Sequence, residues 1–157
     1  MDFVKGTEEY LFVQKLKPAI LFGINHRYVE SFKEEYAFFM VDDLRIVFYH
    51  DESTLELWET EMKALKKKKD MAKAIGTVLG YPPKAVKGFN LEDSVIVNPI
   101  RVNYHGLFFV SNGQTYKEDL KWLIENTPIP EEHRTFIELT YKGDSGTFDK
   151  HKRIDIK

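Results

Sequence analysis

Residues 53–89 read STLELWETEMKALKKKKDMAKAIGTVLGYPPKAVKGF, and this stretch decides the fold. Ser53 and Glu56 have the S-x-x-E spacing of a capping box. In that motif the hydroxyl accepts from the third helical amide and the carboxylate reaches back to the cap amide. Asp51 and Glu52 place negative charge beside the positive end of the helix dipole. Gly80 suits the left-handed position just past a helix, and Pro82 and Pro83 cannot continue one. These signals predict one helix from Ser53 to Leu79, about 39 Å long at about 1.5 Å per residue.

One face of that helix is apolar. Trp58, Met62, Leu65, Ala72, Ile75 and Leu79 recur at spacings of three and four, with Leu55, Met71 and Val78 widening the stripe. Lys69 fills the missing position and can lay its methylenes along the core edge. Ala72, Ala74 and Gly76 are small, so another element can approach closely there. The stripe reads as core.

The natural surface for it to cover is a hairpin. Tyr36–Val41 (YAFFMV) and Leu44–His50 (LRIVFYH) are rich in aromatic and β-branched residues and are joined by Asp42-Asp43. Both arms are apolar at nearly every position, which predicts a sheet covered on both faces. Upstream, Thr7 opens a helix over Glu8–Leu16 that Pro18 closes. Ala19–Ile24 reads as a strand or a buried helical turn, and Tyr28–Glu35 as a short helix or loop.

Downstream, Lys84–Lys87 is a short helical turn. The Tyr81–Pro82 bond is expected trans. Val95–Val97, Ile100–Tyr104 and Leu107–Val110 are short strands, the last flanked by Gly106 and the Asn112-Gly113 turn. Thr115 and Glu118 make a second capping box for a helix to Asn126, with Leu120, Leu123 and Ile124 inward and Trp122 half exposed. Pro130 suits the first position of a last helix, Glu131–Thr140. Gly143–Gly146 is flexible, and Asp149–Lys157 ends the chain as a flexible tail or an edge strand. The expected fold is α+β: a small, mostly antiparallel sheet packed against one long helix and C-terminal helices. Residues 1–157 form one domain in this reading.

Composition narrows the chemistry. The chain has 157 residues, 43% hydrophobic and 31% charged, within the range of soluble globular proteins. It has no cysteine, which excludes disulfides, thiolate metal sites and thiol catalysis and suits a reducing cytoplasm. Met1–Lys17 is charged throughout, unlike a signal peptide, and no apolar run is long enough to span a membrane. The net charge of -2 conceals an acidic block over Glu30–Glu61 and a lysine-rich one over Met62–Asn90. Lys66–Lys69 spread around a helix rather than facing one ligand, so a solvated face is expected there, not a nucleic-acid track.

No metal, phosphate-loop, dinucleotide or nucleophile-elbow motif is present, and no cofactor is expected. His26 with Arg27 suits an anion contact or a general acid, or else a surface turn. His105 lies in the turn-like Asn103-Tyr104-His105-Gly106. The richest spot is Leu79–Phe89. There Lys84 and Lys87 supply charge, Tyr81 and Phe89 supply faces for stacking, and free amides after Pro83 suit an anion. These residues predict a non-catalytic binder of an anionic small molecule, such as a nucleotide. The site residues would be Tyr81, Lys84, Lys87, Phe89, His26 and Arg27. Two other readings stand beside it: a protein-binding module or inhibitor, and a hydrolase or transferase using His26 or His105.

The same turn resembles the signature of a little-characterised prokaryotic family. In that family a hairpin and a long helix lead into L-G-Y-P, usually two cysteines, an aliphatic residue, an acid and an aromatic pair. Leu79, Gly80, Tyr81, Pro82, Val86 and Phe89 match it. Lys84 and Ala85 stand in place of the cysteines and Lys87 in place of the acid. The resemblance therefore implies no thiol or metal role for this chain.

Overall fold

A computed structural model describes residues 2–65, 71–88 and 98–155. In chain order the elements are α1 (Glu8–Val13), β1 (Ala19–Gly23), α2 (Val29–Glu35), β2 (Ala37–Met40), β3 (Arg45–Tyr49), α3 (Glu52–Ala64), α4 (Met71–Val78), α5 (Pro83–Gly88), β4 (Pro99–Tyr104), β5 (Leu107–Asn112), α6 (Tyr116–Asn126), a 3-10 turn (Glu131–His133), β6 (Ile137–Lys142) and β7 (Phe148–Ile154). The fold is α+β. It carries two small antiparallel sheets, ordered β1-β3-β2 and β5-β4-β6-β7, where the sequence suggests one. Among the described residues no helix is long and apolar enough to cross a membrane.

The expected hairpin is β2 and β3, and β1 lines the other edge of β3. Side chains alternate across β3, so its unbroken apolar run feeds two cores. Val47 and Tyr49 pack with Trp58 of α3 and Ala74, Ile75 and Val78 of α4. Ile46 and Phe48 face the other way, onto Phe12 of α1 and Val29 and Phe32 of α2. His50 secures the end of α1: its Nε2 lies 2.6 Å from the Phe12 carbonyl, and its ring stacks on Phe12 at 4.1 Å.

The single long helix is corrected to two. Leu65 is extended, at ψ 114°, so α3 ends at Ala64. The start is corrected as well. Asp51 is the N-cap residue, without a side-chain cap bond, and Ser53 lies inside the first turn. The small stretch of α4 does receive a close neighbour. A Cβ on Gly76 would stand 3.0 Å from Val86 Cγ2 of α5.

In the second sheet β4 and β5 turn through His105 and Gly106, both at positive φ (54° and 111°). Such two-residue turns match the twist of the strands they join. The cap of α6 is also not the expected box. Asn112 Oδ1 accepts from the amides of Gln114 and Thr115, both at 2.9 Å. The last helix is replaced by the 3-10 turn and β6. Ile137, Leu139 and Tyr141 alternate with polar residues, and pairing with β4 satisfies that period of two where a short helix would not. The charged C-terminal segment forms β7, an edge strand, over Phe148–Ile154. α6 covers this sheet through Leu120 and Leu123, with Leu11 of α1 and Ala85 of α5 completing the core.

Candidate functional site

Tyr81 stands where the two sheets meet, packed against the cores of both. Burial pushes the phenol well above its usual range, and the Glu8 charge adds to the shift. Lys17 is 1% exposed beside it. Its Nζ donates to the Ala19 carbonyl at 2.7 Å and lies 5.7 Å from the Tyr81 ring centroid. Burial lowers the Lys17 pKa, opposed by the charges of Glu8 and Glu9.

Of the other described residues of the expected site, Lys87 shares a groove with Tyr81, while Lys84, His26 and Arg27 are engaged elsewhere. Lys84 is exposed and forms an ion pair with Glu118, tying α5 to α6. Lys87 and Tyr81 line one groove, together with Glu61, Lys73, Thr77 and Trp122. Phe89, Val95–Val97 and Lys66–Lys69 lie outside the described residues. His26 stacks on Phe22 with 4.2 Å between centroids, and its Nδ1 accepts from the Tyr28 amide at 3.3 Å. Arg27 sits 4.7 Å over the Tyr28 ring. Phe22 belongs to the core on the opposite face of the first sheet from Tyr81. His26 and Arg27 are thus remote from the turn.

A better-assembled cation cluster lies at the tip of the second sheet. A cleft of about 430 Å³ is lined by His105, Arg134 and Arg153, with Ile124, Ile129 and Phe136 among its apolar walls. The Arg134 Nε donates to the Ile129 carbonyl at 2.7 Å, which fixes the guanidinium and leaves its other nitrogens available. Arg153 lies 4.3 Å over the Phe136 ring, with Glu138 3.7 Å from its Nε.

His105 adopts the left-handed region, which a residue with a Cβ enters at a cost. The Thr135 amide donates to its Nδ1 at 3.3 Å. A nitrogen that accepts carries no proton, so the neutral ring holds its hydrogen on Nε2. Burial, and then the nearby Arg134 charge, lower the pKa of this imidazole. The cleft therefore presents two permanent cations and one neutral N–H donor against a single carboxylate, Asp155, a balance that favours an anion.

Two other features are structural. Asp119 is 1% exposed and accepts from Ser111 Oγ at 2.5 Å, joining α6 to β5. Burial raises its pKa, while the Ser111 bond opposes the shift. A more apolar cleft of about 350 Å³ lies between Leu21, Ile75, Tyr81 and Phe108. Arg45 lines it too, but that guanidinium is held by Asp42 at 2.8 and 3.0 Å. Among the described residues no cluster of three or more His, Asp or Glu is placed to hold a metal.

Sequence reasoning noticed His105 but missed Arg134, Arg153 and Lys17. Arg134 lies in a segment expected to be helix, and Arg153 in one expected to be a tail or an edge strand. Their convergence depends on β6 and β7 pairing, which no local pattern announces. No protein-family model, no curated protein and no solved structure matches this chain.

Proposed function

We propose that the protein is a non-catalytic binder of a small anionic molecule, of nucleotide size, and that its site is the His105–Arg134–Arg153 cleft. The observation that carries this reading is the fixed His105 ring, held in a backbone conformation that costs stability and lining one cleft with two guanidiniums. The apolar walls would receive the body of the ligand and the cations its charge. The absence of cysteine favours work in the cytoplasm.

Catalysis by His105 has less support. An acid–base histidine is normally oriented by a carboxylate on its other nitrogen, and here the Nδ1 partner is a backbone amide. Calorimetric titration with inorganic phosphate and with ATP tests the proposal. Arg134→Ala and Arg153→Ala should each weaken binding about tenfold or more, since a charged hydrogen bond contributes about 1.5–3 kcal/mol. Unchanged affinity in both variants overturns the site. If Lys84→Ala, Lys87→Ala weakens binding instead, the ligand sits at the Gly80 turn.

A further inference from the structure

The free edge of β7 has features that a solvated tail does not require. β7 is the terminal strand of its sheet, and among the described residues it pairs only with β6. Its seven residues contain no proline, so the outer edge offers a row of backbone donors and acceptors. Lys150 lies opposite Tyr141, Lys152 opposite Leu139 and Ile154 opposite Ile137. Directly opposed residues share a face. Leu139 and Ile137 face the α6 core, so Lys150, Lys152 and Ile154 are on that side too.

α6 packs on β4 and β5, leaving a groove of about 590 Å³ between itself and β7. Lys117 and Lys121 line its helical wall and Lys152 its strand wall, with Leu120, Ile124 and Ile154 between them. Lys117 and Lys121 are four apart and share one face of α6. Among the described residues, Lys117, Lys121, Lys150 and Lys152 form no ion pair. Glu125 and Asp155 are the acids of the lining.

Edge lysines often serve only to prevent strand-to-strand aggregation. That role explains Lys150 and Lys152. It explains neither the two lysines on the facing helix nor the apolar floor between the walls.

We infer that this edge and groove dock an extended acidic polypeptide segment, which adds to the sheet beside β7. Strand addition gives affinity through the backbone, and alternate side chains give specificity. Carboxylates at every second position would meet Lys150 and Lys152, within reach of Lys117 and Lys121. A single nucleic-acid strand fits less well. It needs aromatic faces for successive bases, and the groove lining has one aromatic, Tyr116, with Lys117 5.9 Å from its ring centroid. The groove adjoins the anion cleft and shares Ile124, Arg153, Ile154 and Asp155 with it, but its lysines do not line that cleft, so the lysine variants test the two sites separately.

Fluorescence anisotropy with a labelled nine-residue peptide alternating glutamate and valine tests it, against the intact protein. The peptide should bind, with affinity falling as salt rises. Lys117→Glu with Lys152→Glu should weaken binding about tenfold or more, with an unchanged circular dichroism spectrum. A peptide N-methylated at alternate residues should also bind poorly, because it cannot pair with a strand edge. Absence of binding, equal binding of the N-methylated peptide, or tighter binding of an oligothymidylate of equal charge overturns the inference.

Discussion

The Lys17 ammonium lies 5.7 Å from the Tyr81 ring centroid, and the Glu8 charge acts on both side chains. A cation, an aromatic face and a carboxylate thus share the seam between the two sheets.

The lysine makes stability depend on alkaline pH. Its folded pKa lies below the ordinary value of 10.5, so over that interval the folded chain binds fewer protons than the unfolded one. Stability should therefore rise as pH increases from the folded value towards 10.5. The window to use lies below pH 10.0, because Tyr81 and Tyr104 have raised pKa values and act in the opposite sense above it. Urea midpoints measured from neutral to alkaline pH should climb in the wild type and stay level in Lys17→Met. A level wild-type profile would rule out a proton-poor Lys17.

Gly106 should be irreplaceable. Its φ is +111°, and an added Cβ would stand 2.7 Å from the Gly6 carbonyl carbon and 2.9 Å from the Thr7 amide. Gly106→Ala should cost on the order of 3 kcal/mol or more, from backbone strain together with overpacking. Gly146 is a matched control, at φ +79° with nothing within 4 Å. Gly146→Ala should cost about 1 kcal/mol, the strain alone. Equal thermal midpoints for the two variants would mean that the β4–β5 turn does not abut Gly6.

His105 should weaken the fold in acid. Its folded pKa is below the ordinary 6.5, so its contribution is present above that pH and is lost as pH falls through the folded value. His105→Asn keeps a side chain that tolerates the left-handed region. The stability advantage of wild type over this variant should shrink on acidification below pH 6.5. An advantage that grows instead would mean that the ring is held charged.

The helix caps provide a local comparison. Thr7 accepts from the Tyr10 amide at 3.2 Å, whereas Ser53 lies within the first turn of α3 and is exposed. Thr7→Ala should cost about 1 kcal/mol. Ser53→Ala should stay within about 0.5 kcal/mol. The reverse order in chemical denaturation would place the start of α3 at Ser53 after all.

What the sequence made legible was local. The β2–β3 hairpin, the stop at Gly80, the small face of α4 and the burial of β3 on both sides follow from spacing and side-chain size, whereas β2, expected to be covered as well, leaves Phe38 and Met40 exposed. The errors arose where distant pairing outweighed local signals. Ser53 with Glu56 and Thr115 with Glu118 have the right spacing, but Asp51 holds the first cap position, and Thr115, though it is the N-cap of α6, makes no side-chain cap bond. Residues 131–140 begin like a helix, yet Ile137 and Leu139 are drawn into a strand by β4. The proposed cleft was hidden for the same reason. His105 stood out as a turn residue, but Arg134 and Arg153 reach it only through the β4–β6–β7 ladder. Lys17 follows a helix and precedes a proline, and nothing in that context forecasts burial.

Leu11 and Phe12 are adjacent on a helix of six residues, yet Leu11 enters the core of the second sheet and Phe12 the outer core of the first. So short a helix has little stability of its own. It persists because two separate hydrophobic surfaces hold it at once, and releasing either surface removes half of that hold. The two sheets are therefore energetically coupled through two neighbouring side chains. Amide protons of α1 should exchange with solvent only as fast as the whole chain opens, although the helix lies close to the N-terminus, where fraying is the usual rule.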